Sequence, residues 1–259
     1  MILNVIVTEW VILVLITMRV IAAMVVAPPY NSNAIPPTAR FFIALIIAYL
    51  TYFSIDKSTI NIQISIGFIF FVGIKEIITG LIIGFFMNFV FYGISYAGML
   101  IGFDMGLTMA NVFNPALEIE NNVIGSLLLY LSLLIFIIIN GHHYVIEAVV
   151  YSFKVIPIGK YPVNEWLYNY IIKQSGMIFV IAVKIAAPII VSFFLVNVAE
   201  GIMARVVPQM QVFFVTQPLR TMLGFLILVS IIPIYTYVIK NLLRHTETSL
   251  LELINQMIR

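Results

Sequence analysis

Apolar runs long enough to cross a bilayer alternate with short polar or turn-rich breaks along nearly the whole chain. A spanning helix takes roughly 20 apolar residues. Val5–Val26 is the first such run, and it must stop before Pro28-Pro29, because prolines remove backbone donors and clash with the preceding turn. The turn-rich PPYNSNAIPPTAR leads to Phe41–Ile55, which is apolar but short, and then to a polar loop beginning at Asp56 and Lys57. Ile66–Ala97 is unusually long, and Val123–Asn140 follows without a charge. Gly141–Ser175 is mixed. Pro157, Gly159 and Pro162 mark a turn inside it, so Tyr144–Phe153 and Trp166–Ile172 read as two short amphipathic or membrane-entering helices. Gly176–Ala199, interrupted by Pro188, is the fifth span; Phe213–Ile239 is the last, and an amphipathic helical tail follows from Lys240 to Arg259. The pattern predicts an all-α polytopic membrane protein of about six hydrophobic helices.

Two polar stripes run along these helices. At about 100° per residue, Gly73, Glu76, Gly80, Gly84 and Asn88 share one narrow face of the third run. Gly80-x-x-x-Gly84 on that face permits close backbone approach, either inside the chain or against another subunit. Glu76 on the same face needs a partner. The second stripe, Asn197, Glu200, Gly201, Ala204, Arg205 and Pro208, with Gln209 beside it, follows the helical repeat with its polar side selected. Such a face meets another polar face or lines a path for water. Between the third and fourth runs lies Gly98–Asn122, with glycines at Gly98, Gly102 and Gly106, methionines at Met99, Met105 and Met109, and an Asn114-Pro115 turn. It is too apolar for an ordinary loop and too broken for a span. Irregular backbone at membrane depth is tolerated only where protein buries it or it lines a cavity, so this stretch is expected to close or line something. The chain thus divides into helices over 1–97, the central stretch over 98–122, a second helical set over 123–240 and the tail over 241–259.

Composition narrows the class further. Only 9% of the residues are charged and the mean hydropathy is +1.12, whereas soluble domains carry about a quarter charged residues. A net charge of +2 without any basic run argues against nucleic acid. The absence of cysteine excludes disulfides, iron–sulfur clusters and thiolate zinc sites. Glu9 and Arg19, with no basic segment ahead of them, make the first run a retained span rather than a cleaved signal. Lys57, Lys154, Lys160, Lys173, Lys240, Arg244 and Arg259 fall on one side of a six-span topology and mainly Arg40 and Arg205 on the other, which places the tail in the cytoplasm. No nucleophile, base or metal motif is present. His142-His143 are adjacent and point apart on a helix, so they read as an interfacial aromatic pair, and neither an enzyme nor a cofactor is expected. Ionisable groups at membrane depth are functional candidates by default. Glu76, Lys184, Glu200 and Arg205 therefore offer a second reading, the ion relay of a secondary transporter, with structural ion pairs as the plainer account. The halves of the chain show no internal repeat, which weakens the transporter reading.

Several stretches together resemble the FliR family of the flagellar type III export gate, whose injectisome relatives form the SctT group. They are AGMLIGFDMGLTMANVFNP (Ala97–Pro115), NGH (Asn140–His142), SFKVIPIG (Ser152–Gly159) and APIIVSFFLVNVAEGIMARVVPQMQVF (Ala187–Phe213). MRVIAAMVVAPPYNSNAIPPTARF (Met18–Phe41) and KEIITGLIIGF (Lys75–Phe85) fit as well. The resemblance implies kinked helical hairpins and a single-copy, non-enzymatic, pore-gating subunit in the bacterial inner membrane at the flagellar basal body. Its implied partners are P-type and Q-type gate subunits, the B-type switch subunit, unfolded exported proteins in transit and lipid. In that family the loop between the two halves plugs the pore. The matching positions here are Gly102, Met105, Gly106, Met109, Val112, Phe113, Asn114 and Pro115. Unbranched methionines adapt to varied surfaces and glycines let a loop move aside, which suits a seal that must yield. The chain departs from the family's usual pattern at Met109 and Val112, where aromatics are frequent, at Glu200, where an apolar residue is usual, and at Thr216-Gln217, where a glycine is usual, often followed by an aromatic.

Overall fold

The computed structural model describes residues 2–32, 35–55, 65–107, 122–160, 165–209 and 212–257, and among them every regular element is helical. In chain order these are α1 (Ile2–Val26), α2 (Pro37–Ser54), α3 (Ile66–Asp104), α4 (Val123–Ile138), α5 (Gly141–Val155), α6 (Glu165–Val206) and α7 (Val212–Gln256). Five are long and apolar enough to cross a membrane, and α4 with α5, bent by 70° at their junction, make a sixth if taken as one broken span. That matches the expected all-helical membrane architecture.

The boundaries have local causes. α1 ends at Val26, ahead of Pro28-Pro29. α2 opens on Pro37, whose missing N–H costs nothing in a first turn. α4 gives way at Asn140, which adopts a left-handed φ of 61°, a region asparagine enters more readily than most residues. Next to it Gly141 opens α5, because the Phe136 ring occupies the space a β-carbon would take. Three expected boundaries differ. α3 continues past Ala97 to Asp104, so Gly98 and Gly102 lie in helix rather than loop. Trp166–Ile172 is the first part of α6 rather than a separate helix, and the tail from Lys240 is continuous with α7. Polar Lys173-Gln174 and Lys240-Asn241 interrupt the apolar pattern but not the backbone, since lysine and glutamine are good helix formers.

The chain packs as two compact units, each gathered from distant segments. The first comprises Met1–Phe89, Phe136–Lys173 and Leu243–Arg259. In it α1 packs on α2, which buries only Ala44, Ala48 and Thr51. α1 also packs on α3 along the glycine stripe. Gly73 faces the Met18 sulfur, Gly80 meets the Arg19 carbonyl, Gly84 meets the Ala23 carbonyl, and the Asn88 amide donates to the Val26 carbonyl. A β-carbon at Gly80 or Gly84 would overlap backbone, so the stripe is a seam inside the chain. Beyond α1, the Tyr30 hydroxyl donates to the His142 carbonyl, and burial raises its pKa above the ordinary value. The second unit comprises Val90–Ile135 and Gln174–Leu242. There Gly93 lets α3 approach Ile181 of α6, and Gly98 meets the backbone of Gly125 in α4. Pro188 removes one helical bond from α6. One turn away the buried Tyr235 hydroxyl of α7 donates to the Ile185 carbonyl at 2.9 Å.

Candidate functional site

The central stretch leaves α3 through a left-handed cap. The Gly106 N–H donates to the Phe103 carbonyl at 2.9 Å, and the Leu107 N–H donates to the Gly102 carbonyl at 3.0 Å. With φ of 75° at Gly106 this is a Schellman ending, which satisfies the last carbonyls of the helix. Glycine is favoured at this position by its backbone, and Gln217 fills the space beside it. The φ here is strained for any side chain, and a β-carbon would run into the amide of Gln217 on α7. Met105 is completely buried against Gly224 of α7, and the Thr221 hydroxyl donates to the Met105 carbonyl at 3.2 Å. Gln217, Thr221 and Gly224 therefore form a seat for the root of the loop.

The far end of the stretch returns to the same place. Asn122 caps α4, accepting from the N–H of Ile124 at 2.9 Å, and its amide donates to the Met99 carbonyl of α3 at 3.1 Å. Its side chain lies against Gly102, where a β-carbon would collide with it. Both ends of the segment are thus pinned side by side. Gly102, Met105 and Gly106 belong to its root, whereas Met109, Val112, Phe113, Asn114 and Pro115 lie outside the described residues.

Behind the seat is a charged contact between α6 and α7. The Arg220 guanidinium donates from Nε to Oε1 of Glu200 at 2.6 Å and from Nη2 to Oε2 at 2.5 Å, a fork on a fork. It also donates to Asn197, and the Thr216 hydroxyl bonds the same carboxylate. Both charged side chains are only 15% exposed. Asp104, at the end of α3, lies within electrostatic reach of Arg220. The predicted polar face of α6 is therefore divided. Asn197 and Glu200 meet Arg220, while Gly201, Arg205, Pro208 and Gln209 are exposed, with nothing near the position of a Gly201 β-carbon.

The first unit holds a second charged group, fully enclosed. Arg19 of α1 donates from Nε to Glu76 of α3 at 2.6 Å, and both side chains are inaccessible. Its remaining N–H groups donate to the Ser152 hydroxyl and the Ile156 carbonyl at 3.2 Å, and its guanidinium carbon sits 4.0 Å from the centre of the Phe153 ring. The other Glu76 oxygen accepts from the Gly159 N–H at 2.9 Å, and the Lys75 ammonium donates to the Gly159 carbonyl at 3.4 Å. Buried charge is tolerable only when paired and hydrogen-bonded, and every nitrogen of the Arg19 guanidinium has a partner in this knot.

The structure accounts separately for the four residues of the alternative ion relay. Glu76 is held by Arg19, Glu200 is held by Arg220, and Lys184 and Arg205 are exposed. Sequence reasoning missed Arg220, Thr221, Gly224, Asn122 and Ser152. A signal existed for Arg220, an arginine inside the last hydrophobic run that the rule on buried charge should have selected. None existed for Gly224, and Ser152 was legible only as the first residue of the family-matching SFKVIPIG.

Residues 10–246 match the family described as bacterial export proteins, family 1. The flagellar biosynthetic protein FliR of Bacillus subtilis (strain 168) is 30% identical over 230 residues, 88% of each chain. FliR of Escherichia coli (strain K12) is 26% identical over 240 residues, covering 93% of this chain and 91% of its own. FliR of Aquifex aeolicus (strain VF5) is 27% identical over 226 residues, 86% of each.

Proposed function

The chain belongs to bacterial export protein family 1, the FliR family of membrane components of the flagellar export apparatus, and on that premise we propose that it is the subunit whose central loop closes the export channel. It works without catalysis, in the bacterial inner membrane at the flagellar basal body, beside P-type and Q-type gate subunits and the B-type switch subunit. Unfolded export substrates pass it on their way to the growing flagellum.

The observation that carries this reading is the anchoring of the loop. A plug must be held firmly at its ends and yield between them. Here the root is capped and seated on α7, the return is capped on α4, and the connecting segment carries methionine, valine and phenylalanine. Soft apolar side chains exclude ions without the directional bonds that would grip a passing peptide.

Two measurements test it. Co-expressed with the other gate components, the chain is expected to purify in one large hetero-oligomer; recovery as a monomer that carries a small solute into liposomes would overturn the reading. Deleting residues 108–114, with the root left intact, is expected to make the assembled channel leak ions. Membrane conductance unchanged from the wild type would remove the loop from the role of plug.

A further inference from the structure

Gln217, Arg220, Thr221 and Gly224 stand at i, i+3, i+4 and i+7, a single stripe along the first turns of α7. Three of the four touch the loop root: Gln217 at Gly106, Thr221 at the Met105 carbonyl and Gly224 under the Met105 side chain. The fourth, Arg220, reaches to Glu200 and Asn197 on α6. Its fork on Glu200 fixes how α7 is rolled about its own axis. Any roll that separates that pair also withdraws the Thr221 hydroxyl from Met105 and moves Gln217 off Gly106.

We propose that Arg220 is a positioning residue for the gate: its ion pair with Glu200 latches α7 in the one rotation that seats the root of the closing loop. This rests on the reading of the central segment as the closing loop. The latch has two discrete arrangements, pair made with root seated and pair broken with root free, as a conformational switch requires. The pair holds the rotation of α7, and parting it loosens the seat on which Met105 packs against Gly224. Among the described residues Arg220 is bonded to Glu200 and Asn197, and Asp104 lies within its electrostatic reach. Glu200 supplies the directional bonds and Asp104 adds attraction from the root itself. The exposed stretch from Gly201 to Gln209, the last turns of α6 and the residues after them, begins immediately after Glu200. A partner bound there would pull on the carboxylate side of the latch.

The test uses the assembled export complex with ion conductance as one readout. Because the chain contains no cysteine, Leu107→Cys adds a second, the rate at which a maleimide labels the loop root. Losing charge-assisted bonds shifts such an equilibrium roughly tenfold. Arg220→Met and Glu200→Gln, each combined with Leu107→Cys, are expected to raise labelling at position 107 about tenfold and to raise resting conductance toward that of the 108–114 deletion. Arg220→Lys keeps the charge but not the fork and falls between them. Phe91→Leu, a buried packing change on α3 away from the root, leaves both readouts at the wild-type level. If the deletion leaks but Arg220→Met and Glu200→Gln behave as wild type in both readouts, the latch is refuted and the closing loop stands. If the deletion does not leak, the closing-loop reading fails, and unchanged labelling would then refute the latch as well. Should Arg220→Met fail to assemble, the near-isosteric Glu200→Gln decides by the same criteria.

Discussion

Arg19 and Glu76 illustrate how much one side chain commits when it is sealed from water. Removing either partner strands the other charge, which costs about 3–5 kcal/mol when a pair is buried. Arg19→Met or Glu76→Gln is therefore expected to lower the denaturation temperature of the detergent-solubilised complex well beyond the effect of any exposed substitution. Arg19→Met with Glu76→Leu removes both charges together and should recover much of that loss. Single variants that unfold at the wild-type temperature would mean that water reaches the pair. Gly106 carries a different constraint. Gly106→Ala places a side chain at a left-handed φ, a cost of about 1–2 kcal/mol, and also collides with Gln217. Adding Gln217→Gly is expected to restore part of the lost seating, measured by maleimide labelling in the Leu107→Cys background, but not all of it, since the collision is relieved and the backbone strain is not. The need of Glu76 for a partner was readable from its place on a helix face. The identity of that partner was not, because Arg19 lies 57 residues away and no periodicity links the two. Gln217 and Glu200 stood out as departures from the family's pattern, but only the fold brings their neighbourhoods together, through Thr216 and Arg220.

At the scale of elements the glycines separate into two kinds. Gly80 and Gly84 meet backbone of α1, which cannot give way, whereas Gly176 and Gly201 face open space. Gly80→Val or Gly84→Val is expected to prevent α1 and α3 from closing and to abolish recovery of the complex. Gly176→Ala and Gly201→Ala are expected to leave stability within about 0.5 kcal/mol or raise it slightly, because alanine favours helix. Equal recovery of Gly84→Val and Gly176→Ala in the membrane fraction would refute the seam. The stripe was legible because glycine spacing at helical period survives in any tertiary context. The continuation of α3 to Asp104 was not, because Gly98 and Gly102 look like breakers until Gly125 and Asn122 are seen filling the space beside them. The merging of Trp166–Ile172 into α6 was hidden for a similar reason. A change in polarity along the chain marks where a helix leaves an apolar environment, not where the helix stops.

The whole molecule carries far more exposed apolar surface than a soluble domain could keep. Phe42, Leu50 and Phe53 on α2, Phe70 and Phe71 on α3, and Phe179, Phe194 and Leu195 on α6 are each more than half exposed. Lipid and partner subunits have to cover such surface. Expressed without the other export components, the chain is expected to be recovered in much lower yield and to be degraded faster than in co-expression, by quantitative blotting of membranes. Equal yields would mean that lipid alone satisfies it. Membership of the family was legible in the sequence because its motifs run in order over most of the chain. The two interleaved packing units were not, since each draws on segments that no linear reading would place together.

The buried knot also sets an order of events during synthesis. Gly159, whose N–H completes the shell of Glu76, emerges 83 positions after it. A ribosome adding about 5–20 residues per second needs about 4–17 s to cover that distance. Throughout that interval the nascent α1 and α3 have each other's charges but neither Ser152, Ile156 nor Gly159 to finish them. The cell's insertion machinery must therefore shelter a half-made pair until the chain beyond α5 has arrived.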